Sequence, residues 1–70
     1  MNIMATGTVK WFNDSKGFGF IIPDGADEAL FVHRSVLAQA GLSELRKGTR
    51  VRIRIGEGKK GPQVSTITLA

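Results

Sequence analysis

Seventy residues with no cysteine and a net charge of +4 make one small basic domain, supported by neither disulfides nor a thiolate metal site. Apolar residues reach 41%, ordinary for a folded domain, and no apolar run approaches the roughly 20 residues of a membrane helix. Met1-Asn2-Ile3-Met4 has neither the basic region nor the apolar run of a secretory signal, so cytoplasm is the default location. Residues 1–4 read as a loose extension of a domain spanning 5–70.

Gly7 to Phe12, rich in Thr, Val and aromatic residues, reads as a first strand. The turn cluster Asn13-Asp14-Ser15 leads into a second strand over Gly17 to Ile22, which Pro23-Asp24-Gly25 ends with strong turn chemistry. A short third strand runs from Leu30 to His33. Ser35 then caps a helical turn through Ala40 that Gly41 terminates, and Leu42 to Gly48 form an irregular connection. In the fourth strand Arg50, Arg52 and Arg54 alternate with Val51, Ile53 and Ile55, so the aliphatics face inward and the arginines outward. A Gly/Lys loop precedes a fifth strand, Gln63 to Leu69. Five short strands and one helical turn predict a small all-β barrel. Its expected core is Val9, Ile21, Leu30, Val32, Leu37, Val51, Ile53, Ile55 and Ile67, with Phe12 a partial core residue.

The phenylalanines are the informative residues. Side chains alternate across extended backbone, so Phe18 and Phe20 share a face with Lys16, and Phe31 shares one with His33. Phenylalanines normally occupy cores, and leaving them wet forgoes about 1.5–3 kcal/mol each. The third strand decides the side. Leu30 and Val32 form a purely aliphatic face, easier to bury than one holding an imidazole that needs hydrogen-bond partners. The aliphatics alone can fill the interior. The aromatic face is therefore expected outside, where flat rings beside lysine form a surface on which unpaired bases stack.

Charge is unevenly placed. Residues 1–23 set Lys10 and Lys16 against Asp14, and residues 24–45 carry a net of −3. Residues 46–70 set seven basic side chains against Glu57, a net of +6. With no basic amphipathic helix, this asymmetry points to nucleic acid before a membrane surface. The arginine row itself reads first as a solvated outer face lying away from the aromatic patch, one that could extend the positive field toward a longer RNA.

Lys16-Gly17-Phe18-Gly19-Phe20-Ile21 resembles the first ribonucleoprotein motif of the cold-shock domain family, and Leu30-Phe31-Val32-His33 resembles most of the second. Gly7-Thr8-Val9-Lys10-Trp11-Phe12-Asn13 is similar to the family's first strand, and Lys60-Gly61-Pro62-Gln63 to its last hairpin. Four blocks in order, from about Ala5 to Leu69, make the resemblance specific. It implies a five-stranded antiparallel oligonucleotide-binding (OB-fold) barrel that binds single-stranded RNA and DNA. Bacterial members are small cytoplasmic RNA chaperones and regulators of transcription or translation. Carried over by position, Trp11, Phe18, Phe20, Phe31 and His33 would stack on bases. Lys10 and Lys16 would hold the strand, and Lys60 and Pro62 would line the far end of the groove. Strict parity puts Trp11 on the side of Val9 unless the strand bulges, so the resemblance alone places it on the surface. Two positions depart from the family: Arg34 and Leu42 stand where aromatics are usual. Arg34 can stack its planar guanidinium on a base and meet a phosphate. The expectation is weaker binding with steeper salt dependence than in an all-aromatic relative.

Other motif matches carry no chemistry. Gly56-Glu57-Gly58-Lys59-Lys60-Gly61 fits a dinucleotide-binding spacing, but it lies between strands and precedes Pro62 rather than a helix. It reads as a hairpin loop whose lysines reach phosphate. Asn13-Asp14-Ser15 fits a glycosylation sequon without a secretory signal. His33 is the only histidine, so a histidine-based zinc site lacks partners, and no nucleophile–base or paired-carboxylate arrangement stands out. The leading expectation is a non-enzymatic, cofactor-free, monomeric binder of single-stranded nucleic acid. The alternative is a protein-interaction barrel whose aromatic patch receives a peptide or a second subunit.

Overall fold

In the computed structural model, which describes residues 3–59 and 61–70, the alternation of the arginine-rich segment is realised in β4 (Arg50–Gly58). Val51 and Ile53 are buried there, and Arg50, Arg52 and Arg54 face water. The other strands are β1 (Ile3–Asn13), β2 (Phe18–Pro23), β3 (Leu30–His33) and β5 (Gly61–Leu69), with one helix, α1 (Arg34–Gln39), after β3. β1 begins earlier than its Thr/Val composition suggests. Of the residues expected as a loose extension, Ile3 and Met4 pair with Ile55 and Arg54, and Met1 and Asn2 lie outside the described residues.

The strands close into a barrel in the order β1-β2-β3-β5-β4. Four of the five seams are antiparallel, as expected, but β3 and β5 run parallel, joined where Phe31 faces Gln63. The reason is topological: a closed ring of five strands cannot alternate direction at every seam, so one must be parallel. The shortest strand carries it.

The core consists of Val9, Ile21, Val32, Leu37, Leu45, Val51, Ile53, Val64 and Ile67. Leu30 and Ile55, expected inside, are half-buried at its margin, as is Phe12. Leu45 and Val64 join instead. Leu45 belongs to a connection with no periodicity to betray it. Val64 and Ile67 are three apart and would fall on opposite faces of a regular strand. They share the inside because the β4–β5 register slips at Ser65: Arg54 pairs with Thr66 and Ile55 with Val64. The Ser65 hydroxyl donates to the Arg54 carbonyl at 3.0 Å, tying down the extra residue.

The helix starts one residue before its anticipated cap. His33, not Ser35, is the N-cap, and its Nδ1 accepts the Ser35 backbone N–H at 3.1 Å. Gly41, at φ +75°, ends the turn, and the Leu42 N–H returns to the Leu37 carbonyl at 2.9 Å. Leu42 is thereby drawn half-buried against the core rather than out onto the aromatic face.

Candidate nucleic-acid interface

The site begins with an irregularity in β1. Val9 pairs with Ile21, but Trp11 pairs with Phe20, so Lys10 is an extra residue and the side-chain parity inverts across it. Val9 therefore points into the core while Trp11 joins the outer face, 38% exposed. The loop before β4 grips the strand at this point: the Val9 N–H donates to the Thr49 carbonyl at 3.0 Å, and the Gly48 N–H donates to the Val9 carbonyl at 2.9 Å.

Gly19 makes the crossing of β1 and β2 possible. A Cβ at this position would lie 2.6 Å from Phe12 Cδ2, 2.7 Å from Phe12 Cα and against the Trp11 carbonyl oxygen. Its absence lets Phe12 lie across the inner side of β2. The phenylalanines flanking Gly19 consequently face outward.

Register then assembles the platform. Phe20 faces Phe31 and Phe18 faces His33 across the β2–β3 seam. Trp11 meets Phe20 at 5.1 Å and Phe18 at 5.7 Å between ring centroids, both edge to face. Phe31 links Phe18 at 5.8 Å, Phe20 at 6.1 Å and His33 at 6.5 Å. Each phenylalanine is half-buried by its neighbours, and such edge contacts contribute about 0.5–1.5 kcal/mol per pair. Leaving the rings on the surface thus sacrifices less than the full burial value.

Opposite the rings, the β4–β5 hairpin raises a second wall. Phe18, Phe20 and Phe31 on one side and Lys59, Pro62 and Gln63 on the other line an open groove of about 1010 Å³. Glu57 lies on the same wall and, among the described residues, is the acidic group lining the groove. The expected Lys60 lies outside the described residues. Gln63 escaped the sequence reading because only the parallel seam sets it beside Phe31.

Positive charge edges the platform at the β1–β2 turn. The Lys16 N–H donates to Asn13 Oδ1 at 3.0 Å, and the Gly17 N–H to the Asn13 carbonyl at 2.8 Å, holding the turn closed. Gly17 has φ +76°, and a Cβ there would sit 2.9 Å from Arg34 Cδ, so the bare backbone is the bed on which the Arg34 stem rests. Lys10, Lys16 and Arg34 are exposed. Away from the platform, Arg50 donates two 2.7 Å hydrogen bonds to Asp24 and a third, at 2.9 Å, to the Thr8 hydroxyl. The hydrogen bond from Arg50 holds the Asp24 carboxyl below the ordinary carboxylate range.

Among the described residues no cluster of metal-ligating side chains forms, and no helix is long and apolar enough to cross a membrane. Trp11, Phe18, Phe20, Phe31 and His33 come together, and Pro62 lies across the groove. Arg34 lies over Gly17, next in the chain to Phe18, and Lys10 and Lys16 are exposed next in the chain to Trp11 and Gly17. A closed five-stranded barrel of the OB type, with an aromatic face on β1–β3, is the class of protein that this geometry defines. Residues 5–70 match the family model described as the 'Cold-shock' DNA-binding domain. The chain is 53% identical over 66 residues to a cold shock protein of Arthrobacter globiformis, covering 94% of this chain and 98% of that one. It is 51% identical over 67 residues to the cold shock protein ScoF of Streptomyces coelicolor, covering 96% of this chain and 100% of the relative. Identity to a cold shock-like protein of Vibrio cholerae, CspA, is 44% over 68 residues, with 97% of each chain covered. This chain belongs to the cold-shock domain family.

Proposed function

We propose that this protein binds single-stranded RNA and DNA without catalysis, stacking bases on Trp11, Phe18, Phe20, Phe31 and His33. Lys10, Lys16 and Arg34 neutralise phosphates at the rim, Lys59 and Pro62 border the far side, and Lys60 is given a phosphate-binding role by the family resemblance alone. The observation that carries this reading is the unbroken contact of five rings over three strands, facing an open groove with basic residues at its edge. Duplexes hide the faces of their bases, so such a surface favours unpaired strands. Favouring them shifts hairpins toward open forms by mass action, with no nucleotide hydrolysis. That is the behaviour of an RNA chaperone, acting in the cytoplasm as a monomer. Arg34 substitutes partly for a ring, whereas Leu42, folded against the core, offers no platform. Binding is accordingly weaker and more salt-dependent than on a fully aromatic surface.

The test is Phe18→Ala and, separately, Phe31→Ala, each titrated with oligothymidine and melted. Losing one stacking partner is worth roughly 1–3 kcal/mol, or about a 5- to 150-fold fall in affinity, with cooperative unfolding retained. A variant that unfolds, or that melts lower while binding as tightly as the parent, would mean that the rings serve the core.

A further inference from the structure

The outer face of β4 is not used by the platform. Arg52 stands between Thr6 of β1 and Thr68 of β5, and Arg54 between Met4 and Thr66. All of these point outward, and the two arginines and both β5 threonines are exposed. The neighbouring basic residues are already engaged: Arg50 is held by Asp24, and Arg46 by Glu44 at 3.1 Å. Among the described residues, no carboxylate lies within ion-pair reach of Arg52 or Arg54. The polar contact that Arg54 makes among them is a 3.4 Å hydrogen bond from Nε to Met4 Sδ, which leaves the rest of its guanidinium fork free.

We propose that this face is a second nucleic-acid site, which holds phosphates without reading bases and takes a different strand from the one on the aromatic platform. The inference rests on the nucleic-acid reading above. Arg52 and Arg54 are two residues apart on one strand, about 6.6–6.8 Å, a spacing suited to successive phosphates of a stretched strand. Guanidinium forks bind phosphate through paired hydrogen bonds, and flanking threonine hydroxyls add donors of the kind that position a backbone. The face has no ring on which a base could stack. Of its exposed large apolar side chains, Met4 flanks Arg54 and Leu69 ends β5 opposite Val51, so the two form no continuous apolar centre of the kind a protein interface has. Asp24 neutralises Arg50 at one end of the row, and at the other Glu57 stands between Arg54 and Lys59 of the groove wall, which separates the two basic surfaces rather than joining them in one track. A domain carrying strands on two faces brings them together and speeds their annealing.

The decisive variant is Arg52→Gln/Arg54→Gln. Two readouts are compared: quenching of Trp11 by a short oligothymidine, and the rate at which the protein anneals two complementary, fluorophore-labelled oligonucleotides. The expected result is short-strand affinity within twofold of the parent, with annealing acceleration reduced several-fold. The logarithmic salt dependence of annealing becomes shallower by roughly 1.4, about 0.7 for each phosphate that is no longer neutralised. Arg52→Lys/Arg54→Lys restores most of the rate. Should the glutamine variant fail to fold, Thr68→Glu, which sets a carboxylate beside Arg52, gives the same two readouts. Unchanged annealing overturns the proposal, as does no acceleration by the parent protein. A parallel loss in both readouts also overturns it, since the arginines would then act only through their field on the platform. Absence of quenching in the parent refutes the platform reading instead, and the two failures are thereby told apart.

Discussion

Replacing Gly19 by alanine adds a single methyl group where the barrel has no room for it. The new Cβ would approach Phe12 Cα at 2.7 Å and Phe12 Cδ2 at 2.6 Å, and would press on the Trp11 carbonyl oxygen. Two of these three atoms are backbone and cannot rotate away, so β1 and β2 must separate at the bulge that turns Trp11 outward. Overpacking of this kind costs about 1–3 kcal/mol, and the rigid partners place Gly19→Ala toward the upper end. Alanine returns up to about 1 kcal/mol by restricting the unfolded chain, leaving a net loss of about 2 kcal/mol. For a domain of this size the melting temperature should fall by roughly 8–16 °C. Far-UV circular dichroism measures this without relying on Trp11 as the probe. Oligothymidine affinity should fall as well, because Trp11 is displaced from Phe20. A variant melting within about 2 °C of the parent would refute the close-approach argument.

His33 has two separable duties, since its ring belongs to the platform and its Nδ1 caps α1. His33→Asn should keep a capping acceptor and lose affinity; His33→Phe should keep a ring and lose about 0.5–2 kcal/mol of stability. Equal melting of the two variants would contradict the cap. Asp24 is held below the ordinary value of 3.8 by its hydrogen bonds from Arg50. The stability it contributes is therefore fully present above the unfolded-state value and lost as pH falls through the lower folded one. Asp24→Asn should be less stable than the parent near neutrality, with the difference vanishing in acid and shrinking in salt, as measured by urea titration at several pH values. A difference independent of pH would count against the pair.

Much of the fold was legible because period-2 patterning is a local signal. Arg50 to Ile55 announced a strand with one wet and one dry face, and the aliphatic Leu30/Val32 pair fixed which side of β3 is inside. The structure keeps Val32 buried and leaves Leu30 at the edge of the core. Parity failed wherever a residue was inserted. Trp11 reaches the outer face, and Val64 the core, only through the bulges at Lys10 and Ser65, which no regular pattern foretells. Long-range placement was equally hidden. Leu45 enters the core from an aperiodic loop, and Gln63 meets Phe31 because an odd-stranded ring needs a parallel seam. The His33 cap was missed because Ser35 is the commoner cap residue, although the two side chains in fact bond to each other at 3.0 Å.

The aromatic platform itself is most directly tested by the fluorescence of Trp11, the single tryptophan, which sits between Phe18 and Phe20. Titration with oligothymidine should quench it saturably, and a duplex of the same length and concentration should leave it nearly unchanged. Equal quenching by both, or none by either, would contradict base stacking on this face and favour a protein partner for it.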